Sequence, residues 1–509
     1  MIVGQLTKKA SVLKKAGCLL LAGLLAVSAV SCSRGEIEEP TEEKTTAAVT
    51  EAETEDPRYT CDLPEDLSYQ GQTVNMILPA AQVHMDEFIC ESLGGGVVAD
   101  AVYERNIAVE NMLELTLDFY EGHVIEEVDR DIKSGTAEFE LVANYTFQAC
   151  VPAIEGLYLN LSAFDNIDTS KLYWNQGYNE MSTFTDDNIQ YLASGPMAIT
   201  MFRYAFLTLY NRTLFEEYKI NDLFQTVKNG QWTLDFQYSL LKDHYVDTDG
   251  NGSVSDGDFY GFVTGDTISV DPYMVTSDIH MIIRDPSTGD LVFNSEGVRR
   301  ISDLCDKLQL IYNDQSTYAY KSMDDIIVSD CVIDHFTVGK ALMATTLFYK
   351  MEMSYEDLGA MEYGIAPIPK YDGNQKEYHS YVQAEVTSFG ISAGVGDPDR
   401  QEKCAAALEA LAYHSNLLVR PAYYETVLSE RYMQDPESVE MLDLIFDTLD
   451  FDFASCWSDI FGSANIRNGL RPVLSGKNNT VSSTFRGWER SITKQLGRYN
   501  DQIRENAES

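Results

Sequence analysis

The sequence predicts an α/β protein with parallel sheet at its centre, and it predicts more than one lobe. Three observations lead there. Between Val74 and Tyr145, short apolar runs alternate with stretches of helical period, strand–helix–strand–helix–strand, at the pitch of parallel βαβ units. The chain has 509 residues, too long for one ordinary core and long enough for two lobes. Hydrophobic residues make up 44% of it, so substantial cores can be buried.

In chain order, residues 1–31 read as a targeting segment. Lys8, Lys9, Lys14 and Lys15 precede an apolar run from Ala16 to Val30. That run is shorter than the roughly 20 residues a membrane span needs. It ends Ala29-Val30-Ser31-Cys32, which resembles a bacterial lipobox and implies lipidation of Cys32. Removal of residues 1–31 takes away four lysines and no acids, so the charge of −43 becomes −43 − 4 = −47. Residues 32–60 are acidic, with Thr, Ala and Pro between the charges and no apolar period, and are expected to form a disordered tether.

Folding begins near Leu63. Val74–Leu78 reads as a strand; Val98, Val102, Val109 and Leu113 as a helical stripe; Leu115–Tyr120 as a strand. Val124, Val128 and Ile132 make a further helix stopped by Gly135, and Phe139–Tyr145 is again a strand. Residues 157–187 are polar and aromatic. Met197–Tyr210 is a long apolar run interrupted by Arg203. Helices are expected around Ile301–Ile311, at Asp399–His414 with Cys404, Leu408 and Leu411 on one face, and after Asp435-Pro436, where Pro occupies the first helical position.

The net charge excludes nucleic acid as a partner, because phosphate backbones need a basic surface. The nine cysteines show no metal spacing and read as buried free thiols, with no pairing deducible. No nucleophile elbow, HExxH, Walker A loop or GxGxxG after a strand occurs, and the seven histidines show no paired ligand spacing.

One stretch carries specific chemistry. Trp232-Thr233 opens a helix with Thr233 as its N-cap, with Phe236, Leu240, Leu241 and Tyr245 at helical spacing. The helix is expected to run directly into a loop with oxygen side chains at alternate positions: Asp247, Asp249, Asn251, Ser253 through its carbonyl, Ser255 and a closing Asp258, with Gly252 at the sharp turn. That is the ligand order of an EF-hand loop, and it suits a hard cation that takes six to eight oxygens, which implies a structural calcium ion. Phe259–Thr264, a strand, replaces the second helix.

The Trp-Thr helix, the Asp-x-Asp-Gly-Asn-Gly loop and Tyr260-Gly261-Phe262 together resemble the family 1 extracellular solute-binding proteins of ABC importers. Further likeness lies in Asp100-Ala-Val-Tyr103-Glu-Arg105-Asn106, in Phe336–Thr346 taken as the return crossing between lobes, and in Tyr363–Lys370 and Tyr381–Ser392 taken as the next strands. The resemblance spans residues 63 to about 500. It implies a two-lobe periplasmic-binding-protein-like fold with hinge-crossing strands and discontinuous lobes: 61–200 with 345–395, and 201–344 with 396–509. It also implies a monomeric, non-enzymatic receptor for a small-molecule solute, most simply a carbohydrate, working with permease subunits and anchored by lipid on the outer face of a bacterial plasma membrane. The alternatives are an extracellular carbohydrate-active enzyme and a calcium-stabilised adhesion or scaffold protein.

Six residues are expected to contact ligand. Tyr145 ends a parallel strand, where α/β sheets bind ligands. Trp174 stands beside Asn175 and Gln176 in the loop-rich insert, Arg203 interrupts the crossing run, and Asp278 lies in the second lobe. Tyr381 and Gln383 share a strand face.

Overall fold

The structure, a computed structural model, describes residues 56–184, 189–321, 325–431 and 435–508. The targeting segment, Cys32 and most of the tether lie outside the described residues. Thr46–Ser509 forms one compact unit on its own contacts.

In chain order its principal strands are β1 (Gln72–Pro79), β2 (Leu115–Gly122), β3 (Leu141–Tyr145), β4 (Phe206–Asn211), β5 (Tyr260–Gly265) and β6 (Thr317–Tyr320). They continue as β7 (Ala341–Leu347), β8 (Tyr363–Ala366), β9 (Ser380–Tyr381), β10 (Thr387–Ile391) and β11 (Leu449–Asp450). Two sheets organise them, ordered β10-β3-β1-β2 and β6-β5-β7-β4-β8.

In the first sheet β1 pairs in parallel with β2, Gln72 opposite Leu115, and with β3, Met76 opposite Leu141. Val74, Ile77 and Leu78 are fully buried, as expected for a parallel strand covered on both faces. The helices Val97–Leu113 and Val124–Ser134 connect these strands. The second ends at Gly135 with φ 70°, the left-handed cap expected from the sequence. Arg105 explains why the motif around it is as it is. Its side chain is wholly buried, donating to the Glu87 carbonyl (2.8 Å), Ser415 Oγ (3.1 Å) and Asn106 Oδ1 (2.9 Å).

In the second sheet β7 runs parallel to β5 and antiparallel to β4, so it is an interior strand there and not the return crossing. β8 also belongs to this sheet, antiparallel to β4 with Tyr363 opposite Asn211. The return to the first sheet comes later, through residues 381–386 into β10, which pairs antiparallel with β3. Residues 194–205 make the outward passage, and the two passages touch where Ala205 bridges Val382 and the Gln383 amide donates to the Tyr204 carbonyl at 3.0 Å. The outward passage is not a continuous strand: Thr200–Arg203 forms a helical turn before β4 begins.

Two expected boundaries therefore move. Residues 345–366 sit with the second sheet, because β7 and β8 find their ladder partners there. The helix Pro398–His414, expected in the second lobe, packs on the helix Val97–Leu113 and on β1 and β10 of the first. The tether also ends earlier than expected. Pro57–Tyr59 is a 3-10 turn held to the body by Lys171 Nζ on the Pro57 carbonyl (3.0 Å) and the Leu172 amide on the Arg58 carbonyl (2.8 Å). The cysteines among the described residues are unpaired, and Cys150, Cys305, Cys404 and Cys456 are buried. No helix among the described residues is long and apolar enough to cross a membrane.

Candidate functional site

The two passages between the sheets are fastened by one buried carboxylate. Glu87, fully buried, accepts from the Thr200 amide (2.7 Å) on the outward passage and from Thr387 Oγ1 (2.6 Å) at the end of the return passage. Thr387 in turn donates its amide to Thr200 Oγ1 at 3.0 Å. Burial pushes the Glu87 carboxyl up to about 7, against the opposing pull of these donors. His84 completes the knot, with Nδ1 at 2.7 Å from Thr387 Oγ1.

A ribbon of rings spreads from this knot. Tyr145, at the carboxyl end of β3, meets His84 edge-on at 4.3 Å and Phe147 at 5.9 Å. His84 lies 6.3 Å from Tyr204, and Tyr204 lies 6.4 Å from Tyr349, which follows the carboxyl end of β7. Tyr145 and Tyr349 thus occupy equivalent strand ends of the two sheets, and each is half-buried. Burial, and then the nearby Glu385 carboxylate, raise the Tyr145 phenol, so it stays a neutral hydroxyl. Arg203 sits beside the ribbon, 6.0 Å from the Tyr349 ring. Its guanidinium joins Asp86 of the first lobe (3.3 Å) to Glu352 of the second (3.0 Å). Aromatic faces, neutral hydroxyls and paired charges in one strip can stack a flat ring and hydrogen-bond its polar rim.

Of the six expected contacts, Tyr145, Arg203 and Gln383 reach this region, Gln383 through its backbone. The others do not. Trp174 is 2% exposed, and its Nε1 donates to Glu409 Oε2 at 3.0 Å within the first lobe. Tyr381 is wholly buried and stacks on Phe206 at 5.8 Å. Both belong to the packing, because the loop-rich insert folds onto the helix Pro398–His414 and β9 is covered by β4. Asp278, with φ 53°, instead lines a separate cavity of about 490 Å3 in the second lobe, with Arg300, Tyr371, Gln375 and His379. Phe147, Tyr204, Tyr349 and Glu385 were not singled out from sequence. Tyr349 carried the same signal as Tyr145, a ring just past a parallel strand.

No protein-family model matches the chain, and no curated protein matches it. Solved structures do. The lacto-N-biose complex of the galacto-N-biose-/lacto-N-biose I-binding protein of the ABC transporter from Bifidobacterium longum superposes with TM-score 0.53 at 13% identity, over 84% of this chain and 98% of that one. The cyclic alpha-maltosyl-1,6-maltose binding protein from Arthrobacter globiformis gives 0.53 at 12% identity, over 84% and 100%. A cyclo/maltodextrin-binding protein complexed with maltotetraose gives 0.51 at 12% identity, over 86% and 98%. The chain has the solute-binding-protein fold.

Within that fold, the acidic loop hangs from the second lobe between the helix Leu234–Leu241 and β5. Thr233 caps the helix as expected, accepting from the Phe236 amide at 3.3 Å. The helix stops at Leu241, four residues short of Tyr245, and Val246 bridges Phe259 to close the loop's neck. Carboxylate oxygens of Asp247, Asp249 and Asp258 lie within 4.8 Å of one another. Gly250 and Gly252 take φ 69° and 73°, which lets their amides donate to Asp247 at 2.7 and 2.9 Å. Asp258 is the buried end of the set, accepting from the Thr248 amide (3.0 Å), the Ser255 amide (3.0 Å) and Tyr245 Oη (3.1 Å). Burial would raise this carboxyl, but those donors outweigh it and hold it below its usual range. Ser255 Oγ reaches Asp249 at 3.1 Å, and the Asn251 carboxamide donates to Asp249 at 2.6 Å. An all-oxygen set with three carboxylates facing one point fits a hard divalent cation.

Proposed function

We propose that the chain is the solute receptor of an ABC importer and that its solute is a carbohydrate. The reading rests on one observation above the others: an aromatic ribbon runs from the carboxyl end of β3 to that of β7 and so spans both sheets at the hinge. Sugars offer apolar ring faces for stacking and hydroxyls for hydrogen bonds, which is what Tyr145, Phe147, Tyr204, Tyr349, Arg203 and Glu385 can supply. The sugars bound in two of the superposed proteins, lacto-N-biose and maltotetraose, and the saccharide for which the third is named point the same way. The lobes would close about residues 194–205 and 381–386, with the Asp86–Arg203–Glu352 bridge rearranging as they do. No catalytic role is assigned to any residue.

The rest of the reading concerns attachment and support. Cys32 is the site of lipidation, the residues after it hold the body off the outer face of the membrane, and permease subunits receive the solute. Calcium in the loop Asp247–Asp258 braces the second lobe. A panel of mono- and oligosaccharides screened by thermal shift tests the main claim. One sugar should raise Tm by several degrees at saturating concentration, without being consumed. Turnover of that sugar, or no shift across the panel, would overturn it.

A further inference from the structure

The C-terminal helix Val481–Glu508 buries Val481, Phe485, Ile492, Leu496, Tyr499 and Ile503 against the body, which fixes its opposite face in solvent. On that face Arg486, Arg490, Lys494 and Arg498 recur at every fourth residue, and all four are exposed. Residues four apart are neighbours on a helix, so the cations form one row along roughly 18 Å of axis, at about 1.5 Å per residue.

None of the four takes part in an ion pair among the described residues; Arg498 only lies over the ring of Tyr499, at 4.6 Å. Several other exposed cations on helices are paired: Arg130 with Glu127, Lys133 with Asp129 and Arg299 with Glu296. In a chain of 80 acids and 37 lysines and arginines, a row of unpaired cations stands against the general balance. Glu489 is the one acid within its span.

The residues between the cations say what the row fits. Gly487, Ser491, Thr493 and Gly497 are small and exposed. From Arg490 to Arg498 the face is therefore low in relief and free of the apolar anchors around which protein interfaces concentrate their affinity; only Arg486 borders a cavity, shared with Phe293, Val298 and Phe485. We propose that this row docks the folded body on the anionic headgroups of a lipid bilayer. Long cationic side chains rising from a flat, small-residue face reach a plane of phosphates together. The overall charge of −43 does not prevent it, because screening confines charge interactions to about 8 Å at physiological ionic strength, so the nearest charges decide. The inference goes beyond the receptor reading and needs neither a solute nor an acyl group.

The test uses the compact unit Thr46–Ser509, which carries no targeting segment, sedimented with vesicles of phosphatidylglycerol and phosphatidylcholine in equal parts and with phosphatidylcholine alone. Binding is expected only to the first, at about 0.1 M ionic strength where the rest of the acidic body is screened, and should fall steeply as ionic strength rises toward about 1 M. Each of Arg486→Gln, Arg490→Gln, Lys494→Gln and Arg498→Gln should lower the partition coefficient about fivefold. The four together should abolish binding with the circular dichroism spectrum unchanged. Arg130→Gln with Lys133→Gln, which removes two exposed charges elsewhere, should leave it intact. Failure of the unsubstituted protein to bind anionic vesicles at about 0.1 M ionic strength, or equal binding by the fourfold variant, overturns the proposal.

Discussion

Glu409 shows how much a single side chain can decide. It lies in the helix Pro398–His414 and is 3% exposed. It accepts from Tyr173 Oη, from Trp174 Nε1 and from the Asp168 amide at 3.2 Å, so it pins the loop-rich insert to the first lobe. Burial pushes its carboxyl up to about 7, although those donors favour the charged form. The native state thus holds this proton more tightly than the unfolded chain does. Its contribution to stability is complete below the ordinary carboxylate pKa near 4.5 and is lost as pH rises toward about 7. Denaturant melts of wild type and Glu409→Gln should therefore show a stability difference that shifts in favour of the variant between those pH values and is flat above them; a difference independent of pH would refute it. Trp174→Ala should cost about 3–5 kcal/mol by the same melts, as truncation of a large buried ring does. The sequence held a hint of this site. Lys403 to Ala412 is apolar on nearly every face apart from its first residue and Glu409, the mark of a buried helix with one carboxylate needing donors. Trp174 itself gave no such hint, because an aromatic in a polar insert reads the same whether it faces solvent or packs inward.

Among the elements, local pattern and long-range pairing differ in what they disclose. The units from Val74 to Tyr145 were legible because their period and caps are local, Gly135 included. The loop Asp247–Asp258 was legible for the same reason: its donors bond to one another within a few residues. Asp247→Ala or Asp249→Ala should lower Tm by several degrees in millimolar calcium and hardly at all in EDTA. Equal calcium-induced shifts in wild type and variants would refute ion binding there. The assignment of β7 and β8 was not legible. An interior strand and a crossing strand are both short apolar runs, and only the partners across the ladder, 341 − 260 = 81 residues away or more, separate them. The same holds for the helix Pro398–His414, whose all-round burial fits either lobe.

At the scale of the whole molecule, the ribbon between the sheets makes a joint claim on residues far apart in sequence. Once a ligand is in hand, Tyr145→Ala and Tyr349→Ala should each weaken it about tenfold or more by calorimetry, since contacts of this kind are worth roughly 1–3 kcal/mol, with the fold intact. Unchanged affinity in both would remove the site from the hinge. Cys32→Ala should release the protein from membranes on fractionation in about 1 M salt, which screens charge contacts with headgroups, or leave its targeting segment uncut; a variant still membrane-bound in that salt and normally processed would exclude Cys32 as the anchor. The topology also has a bearing on synthesis. β3 ends at Tyr145, but its antiparallel neighbour β10 is complete only at Ile391, 391 − 145 = 246 residues later. At about 5–20 residues per second, the edge of β3 waits roughly 12–50 s for its partner while the second sheet is being made. An unpaired strand edge is where neighbouring chains add on. The nascent first lobe is therefore most exposed to aggregation well before its last strand emerges, and any factor that shields it must act within that interval.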